Sequence, residues 1–207
     1  MSVITISKEA GTDSEKVASL LSKKLGWEYI GKHLVAEIAR ELHISQSDVE
    51  SFRKDSQSRL LRFVDKYTCS IVQKVVDREY GCLDDKNYFE TTKKLVLDSY
   101  KAGNAIIIGW GGQCILHDIP DALHVRLVKG AEGKIKSIMA RHNFNRHEAE
   151  RFIEREDNDS KSYIKHYFNE DWNDAHFYDL ILDMDKTSME DAVDTIIENL
   201  KRKTQSS

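Results

Sequence analysis

The chain has 207 residues, of which 40% are hydrophobic and 32% charged, and its formal net charge is −4. This length can bury one good core, and the acidic balance argues against a nucleic-acid-binding protein, which would carry a broad positive field. No apolar run approaches the roughly 20 residues of a membrane span, and the N-terminus enters a strand directly, so we expect no signal peptide, no membrane contact and a cytoplasmic protein. The cysteines are odd in number and widely spaced, which favours free thiols in a reducing compartment over a disulfide framework: Cys69, Cys82 and Cys114.

The first thirty residues predict a strand, a turn and a helix. The run from Val3 to Ser7 is rich in β-branched residues and predicts a buried strand. A polar turn from Lys8 to Ser14 follows, and then apolar residues recur at helical spacing until Gly26 ends the helix: Val17, Leu20, Leu21 and Leu25. This order opens a parallel α/β sheet and places a helix N-terminus above the strand ends. Its N–H groups and dipole predict an anion site in the turn.

The next segments predict helices. Helical patterns cover Lys32 to Leu42, a stretch that begins at Ser45, and Ser56 to Tyr80. The last of these carries an apolar stripe that faces the core, and its other face could serve a homodimer. A further helix is expected from Asn87 to Ala102.

The middle of the chain predicts the centre of the sheet. Asn104 to Ile108 is apolar without alternation, which is typical of a parallel strand covered on both faces. The glycine-rich loop Gly109-Trp110-Gly111-Gly112 follows at the strand's carboxyl end, where ligands of open α/β sheets bind. Ala122 to Val128 is the next strand.

The final third is charged and helical. Residues 131–171 form either a solvated helix pair or a lid that closes on an anionic ligand. Asp179 to Asp183 predicts the last strand, and Thr187 and Glu190 stand at capping-box spacing before the final helix. No linker interrupts the chain, so we expect one domain over residues 1–207, with 131–171 as its lid.

This order of elements, and three motifs within it, resemble the cytidylate kinase-like family of P-loop nucleoside monophosphate kinases. The start Ile4-Thr5-Ile6-Ser7-Lys8-Glu9-Ala10-Gly11 is similar to the family's ITISREFG, and Ile106 to Gly112 resembles its strand followed by GRG. The closing pattern of tyrosines, a tryptophan and YDL is matched by Tyr163, Tyr167, Asp171-Trp172-Asn173-Asp174 and Tyr178-Asp179-Leu180. The resemblance implies an α/β, three-layer P-loop kinase-like fold, with a central parallel sheet, helices on both faces and a helical lid. It also implies transfer of the γ-phosphoryl group of ATP, with Mg²⁺, to a nucleoside monophosphate such as CMP.

The resemblance also implies roles for particular residues. The donor phosphates would be held by Lys8, Gly11, Thr12, Asp13 and Ser14, with Thr12 and Ser14 as hydroxyl ligands of Mg²⁺. The acceptor, a nucleotide or another small phosphate compound, would meet Gly109, Trp110, Gly111 and Asp157. Positive charge for the transferring group would come from Lys16, Arg126, Arg141, Arg155 and Lys161.

Three departures from the family pattern fall on the chemistry. Asp13 and Ser14 replace two glycines of the turn, and Glu15 replaces an arginine. Each carboxylate would repel bound phosphates by roughly 1 kcal/mol unless Lys8, Lys16 or a metal ion compensates. Trp110 stands where an arginine is common, either as a packed loop residue or as a stacking surface for a base. In the lid, Ser160 or Lys161 takes an arginine position, although lid charges also suit a solvated face.

Two functions therefore remain open. One is an active cytidylate kinase-like phosphotransferase. The other is a nucleotide-binding or regulatory protein that keeps the fold and has lost turnover.

Overall fold

A computed structural model of the protein describes residues 2–31 and 85–205. The predicted helices at Lys32 to Leu42, after Ser45 and at Ser56 to Tyr80 lie outside these residues, as do Cys69 and Cys82. The strands are β1 (Val3–Lys8), β2 (Glu28–Gly31), β3 (Ala105–Ile108), β4 (Ala122–Val128) and β5 (Leu180–Asp183). The helices are α1 (Ser14–Leu25), α2 (Asp85–Ala102), α3 (Gly112–Ile115), α4 (Ala131–His142), α5 (Arg146–Phe168) and α6 (Met189–Gln205), with a short 3₁₀ helix at Ala175–Phe177.

The five strands of the described residues form one parallel sheet in the order β2-β3-β1-β4-β5. The opening strand is at its centre: Val3 to Ile6 pair with β3, and Val3 to Lys8 pair with β4. Because β1 has a neighbour on each side and helices over each face, its first five residues are buried. The carboxyl end of β1 therefore brings the turn after it to the middle of the sheet edge.

The alternation of side chains along the strands separates two cores. Ile4, Ile6 and Ile106 face α1 and α6, and pack with the apolar stripes of those helices. Val3 and Ile107 face the opposite side and pack with α2 and α3. Helices thus cover both faces of a parallel sheet, and the predicted three-layer fold is confirmed.

The charged segment is a pair of helices with a small core of its own. Ile135 and Ile138 of α4 pack against Ala149 of α5. Asn145 begins α5 with a capping box, in which its side chain accepts from the N–H of Glu148 while the Glu148 side chain accepts from the N–H of Asn145. The helical prediction for this segment is confirmed; its action as a lid stays a prediction.

The start of α6 differs from expectation by one residue. Ser188, and not Thr187, supplies the cap: its hydroxyl oxygen lies 3.1 Å from the N–H of Asp191 and 2.7 Å from the carboxylate of the same residue. Thr187 with Glu190 and Ser188 with Asp191 have the same capping-box spacing, and the second pair caps the helix.

Among the described helices, none combines the length and the apolar composition needed to cross a bilayer.

Candidate phosphate-binding site

The turn between β1 and α1 has the backbone of an anion site. Gly11 and Asp13 adopt positive φ angles of 79° and 56°. Asp13 begins α1, because its carbonyl oxygen accepts the first helical hydrogen bonds, from the N–H of Lys16 at 2.9 Å and of Val17 at 3.2 Å. The N–H groups ahead of these bonds have no acceptor inside the helix, and the helix dipole favours negative charge beside them.

Helix α4 lies directly on this turn. A Cβ atom at Gly11 would be 3.0 Å from the Cα and from the carbonyl oxygen of Lys134. Glycine is therefore needed at this position both for the φ angle and for the close approach of the two backbones.

Asp13 is neutralised by two basic side chains. Its carboxylate lies 2.8 Å from the guanidinium of Arg141 and 3.1 Å from the ammonium of Lys16. Partial burial alone would raise the pKa of Asp13, but the hydrogen bonds and charges of Lys16 and Arg141 hold it below its usual value. The carboxylate is therefore ionised and paired, which offsets the repulsion expected from an acidic residue in the turn.

A second ion-pair cluster joins the turn to both helices of the charged pair. The ammonium of Lys134 on α4 lies 2.8 Å from Glu9 and 2.8 Å from Asp157 on α5. The other oxygen of Asp157 accepts from the backbone N–H of Ala10 at 2.8 Å. Burial opposes protonation of Lys134, but its bonds to Asp157 and Glu9 raise its pKa above the usual value, so the charge is kept.

Lys129 adds a third basic residue beside the turn. Its backbone N–H donates to Glu9 at 3.1 Å, and its ammonium donates to the hydroxyl of Ser137 at 2.8 Å and to the carbonyl of Gly11 at 3.4 Å. Sequence reasoning missed Lys129, Lys134 and Glu9 as site residues. A signal existed for the helix: Lys134 and Arg141 are seven residues apart and so share one face of α4.

Arg126 is buried on β4 and holds the closing segment of the chain. It donates to the carbonyl of Trp172 at 2.7 Å and to Asn173 at 2.9 Å, and its guanidinium lies 4.1 Å from the centre of the Trp172 ring. Its nearest approach to the turn is through Glu9, at 3.5 Å. The structure thus brings Arg126 to the turn with most of its donors already engaged.

The hydroxyl groups of the turn suit a magnesium ion. Thr12 and Ser14 are buried beside the loop backbone. The hydroxyl of Thr12 donates to the carbonyl of Glu9 at 2.8 Å, so its oxygen keeps lone pairs for a metal. Mg²⁺ prefers hard oxygen ligands, and the donor set fits it. Within residues 2–31 and 85–205, no three His, Cys, Asp or Glu side chains cluster in a way that could hold a metal.

The second loop has a different character from the first. Trp110 has a φ angle of 54° and is 7% exposed, packed into the core beneath α2. A Cβ atom at Gly111 would lie 2.5 Å from the ring of Phe168, so α5 sits tightly over this loop. These positions favour the packed-loop interpretation of Trp110 over base stacking.

Apart from the second loop, the site residues predicted from the sequence divide into two groups. Those at or beside the first turn are Lys8, Gly11, Thr12, Asp13, Ser14, Lys16, Arg126, Arg141 and Asp157. Arg155 and Lys161 lie on the exposed surface of α5, where the guanidinium of Arg155 forms a long ion pair with the carboxylate of Glu156 at 3.8 Å.

Comparison with known proteins agrees with this architecture. The chain is 27% identical, over 198 residues, to a cytidylate kinase from Sulfurisphaera tokodaii, a match that covers 95% of this chain and 93% of the relative. A crystal structure of an uncharacterized protein from Eubacterium ventriosum is similar with a TM-score of 0.65, at 20% identity, over 97% of this chain and 99% of the other. A shikimate kinase from Bacteroides thetaiotaomicron shares the fold with a TM-score of 0.52, at 13% identity, over 97% and 98% of the two chains.

The sequence profile of the cytidylate kinase-like family matches residues 3–186, from the first strand to the residues just before the last helix. The match spans the turn, the second loop and the charged helix pair. The chain belongs to the cytidylate kinase-like family.

Proposed function

We propose that the protein is a phosphotransferase that moves the γ-phosphoryl group of ATP to a nucleoside monophosphate, CMP or a related pyrimidine nucleotide. The observation that carries the proposal is the turn after β1, which keeps its positive φ angles at a helix N-terminus although one glycine has become Asp13. The pairing of Asp13 with Arg141 and Lys16 removes the main electrostatic objection to phosphate there. Family membership and the curated cytidylate kinase relative support the choice of a nucleotide acceptor.

In this proposal the residues act by positioning and by charge. The turn from Gly11 to Ser14 holds the donor phosphates, with Lys8 and Lys16 at its ends. Mg²⁺, when bound by the hydroxyls of Thr12 and Ser14, screens and orients those phosphates. Arg126 and Arg141 supply positive charge as an acceptor phosphate oxygen bonds to the γ-phosphorus and the bond to ADP breaks.

The acceptor side is proposed to lie by the second loop and α5. Gly109, Trp110 and Gly111 would border the acceptor. Asp157, expected beside the acceptor, instead lies at the first turn, where it accepts from the N–H of Ala10. Arg155 and Lys161 lie on the exposed surface of α5, so they would contribute to transfer only if α5 moves toward the bound nucleotides.

A coupled assay that detects ADP tests the proposal, with MgATP and a panel of nucleoside monophosphates and small phosphate acceptors. We expect turnover with at least one pyrimidine monophosphate. Arg141→Gln should lower kcat/KM about tenfold or more, because it removes a charge beside the turn. Arg146→Gln is the matched control, since Arg146 is an exposed arginine that pairs with Glu132 and Glu150, and this change should alter kcat/KM less than twofold. Folded wild-type protein with no turnover on any acceptor contradicts the proposal.

A second candidate is a nucleotide-binding protein without turnover. This candidate is favoured because two arginines near the turn already have protein partners: Arg126 contacts Trp172 and Asn173, and Arg141 is paired with Asp13. Binding of MgATP by calorimetry, together with no ADP production in the same panel, would select this candidate over the first.

A further inference from the structure

The feature behind this inference is the bridge made by Lys134. Its ammonium is 2.8 Å from Glu9, which belongs to the turn, and 2.8 Å from Asp157, which belongs to α5. Lys134 itself belongs to α4. One ammonium group therefore joins three separate elements.

The bridge lies in a partly desolvated setting. The side chains of Lys134, Glu9 and Asp157 are 13%, 17% and 12% exposed. Removing the ammonium would take the nearest counter-charge from both poorly hydrated carboxylates and leave Glu9 with the more distant guanidinium of Arg126, at 3.5 Å, which is an unfavourable arrangement. The groups would have to move apart, and α5 would move away from the turn.

The bridge also governs the backbone of the turn. Asp157 accepts from the N–H of Ala10 at 2.8 Å, and it is held in that place by Lys134. The neighbouring Gly11 packs on the backbone of Lys134. From Lys8 to Ser14 the turn contains one glycine, so its shape is set largely by these contacts from the helix pair and less by glycine geometry of its own.

We infer that Lys134 is a positioning residue, which fastens the helix pair α4–α5 to the turn through Glu9 and Asp157 and thereby sets the affinity of the turn for the phosphates of ATP. This inference rests on the proposed function in taking ATP as the ligand. Lys134 acts through Asp157 on the N–H of Ala10, and a direct contact with phosphate is not part of its role.

Three variants and a control test the inference in the full chain. They are Lys134→Met, Lys134→Arg and Asp157→Asn, with Lys136→Met as the control, because Lys136 is exposed on the same helix. The measurements are the dissociation constant of MgATP by calorimetry and the amide resonance of Ala10 in ¹⁵N–¹H spectra. Chemical unfolding verifies that each variant is folded, and Asp157→Asn carries the test if Lys134→Met does not fold.

We expect Lys134→Met and Asp157→Asn each to weaken MgATP binding about tenfold and to shift the Ala10 resonance. A double variant that combines Lys134→Met with Asp157→Asn should bind MgATP no more than about threefold worse than either single variant, because both changes act on one bridge. The dissociation constant of MgATP for Lys134→Arg should stay within about threefold of the wild-type value, and that for Lys136→Met should equal the wild-type value.

Two results would overturn the inference. Tighter MgATP binding by Asp157→Asn would mean that Lys134, once released, contacts phosphate directly. Unchanged binding and an unchanged Ala10 resonance in Lys134→Met would mean that the bridge does not govern the turn. Wild-type protein that binds MgATP without transferring phosphate contradicts the proposed function alone, because the dissociation constant and the Ala10 resonance depend on binding and do not depend on turnover. Wild-type protein that does not bind MgATP contradicts both.

Discussion

At the scale of single residues, Asp13 meets two demands that pull in opposite directions. The turn needs a positive φ angle, which aspartate tolerates better than most residues other than glycine and asparagine. A phosphate site disfavours its negative charge, which Arg141 of α4 and Lys16 in the first turn of α1 compensate.

Substitution of Asp13 separates these two demands. Asp13→Asn keeps the tolerance for positive φ and releases Arg141 and Lys16 from their ion pairs, so the net charge beside the phosphates becomes more positive by one. MgATP should then bind about fivefold more tightly, which corresponds to roughly 1 kcal/mol. Asp13→Ala removes the same charge but should also lower the free energy of unfolding by about 1 kcal/mol, because alanine is strained at this φ. Calorimetry and urea unfolding measure the two effects. Weaker MgATP binding by Asp13→Asn would show that the carboxylate orients Arg141 productively.

Gly111 and Gly26 form a matched pair for the second loop. Both have positive φ angles, 66° and 68°, but a Cβ at Gly111 would lie 2.5 Å from Phe168, whereas a Cβ at Gly26 would have no neighbouring atom of the described residues within 4 Å. Gly26→Ala should therefore cost about 1 kcal/mol of unfolding free energy from backbone strain alone. Gly111→Ala should cost a further 1 to 3 kcal/mol, roughly, from overpacking. Equal losses in urea unfolding would mean that α5 yields easily over this loop.

The backbone of the candidate site was more predictable from the sequence than its ion pairs. Gly11 and the start of α1 are local features, and a strand, a glycine and a helical pattern are enough to find them. The pairs of Glu9 with Lys134 and of Asp13 with Arg141 join residues more than a hundred positions apart. No local pattern encodes such a pair, and the sequence therefore led us to expect repulsion where the structure has neutralised carboxylates.

At the scale of elements, the predicted strands agree with the structure to within about one or two residues at each end. They were predictable because a central parallel strand is an apolar run of β-branched residues bounded by turns. The start of α6 was not predictable to the residue, because Thr187 with Glu190 and Ser188 with Asp191 have the same capping-box spacing. Choosing between them requires the path of the chain after β5, where the N–H of Thr187 donates to the carbonyl of Asp183.

Two alanine substitutions test the cap of α6. Ser188→Ala removes the oxygen that accepts from the N–H of Asp191, so the free energy of unfolding should fall by about 1 kcal/mol. Thr187→Ala, one residue earlier, should lower it by less than half as much. Thermal or urea unfolding of the two variants provides the measurement, and a larger loss for Thr187→Ala would place the cap where the sequence suggested.

At the scale of the whole molecule, acid should weaken the fold through His124. This residue of β4 is buried, accepts from the hydroxyl of Thr5 on β1 at 2.7 Å and donates to the carbonyl of Leu116 at 3.2 Å. Burial is the main cause that lowers the pKa of His124 from 6.5 to about 4, against an opposing effect of Asp179. The folded protein thus keeps the imidazole neutral over a pH range in which the unfolded chain protonates it.

The sign of the pH dependence follows from linkage. The stability contributed by neutral His124 is complete above pH 6.5 and is lost as the pH falls from 6.5 to about 4. The loss should approach about 1.4 kcal/mol for each pH unit in the middle of this window. Urea unfolding between pH 4 and 7.5 measures it, with His124→Gln as the comparison, whose profile should be flatter. Parallel profiles for the two proteins would assign the acid sensitivity to other groups.

The central place of β1 has a consequence for biosynthesis. Among the strands of residues 2–31 and 85–205, β1 pairs with β3 and β4, which begin at Ala105 and Ala122, and β2 pairs with β3. On the ribosome, β1 and β2 therefore have no described partner strand until the residues from Ala105 onward have been synthesised. Chaperones that recognise extended apolar segments should accordingly engage this protein early in translation, and release it once β4 has emerged.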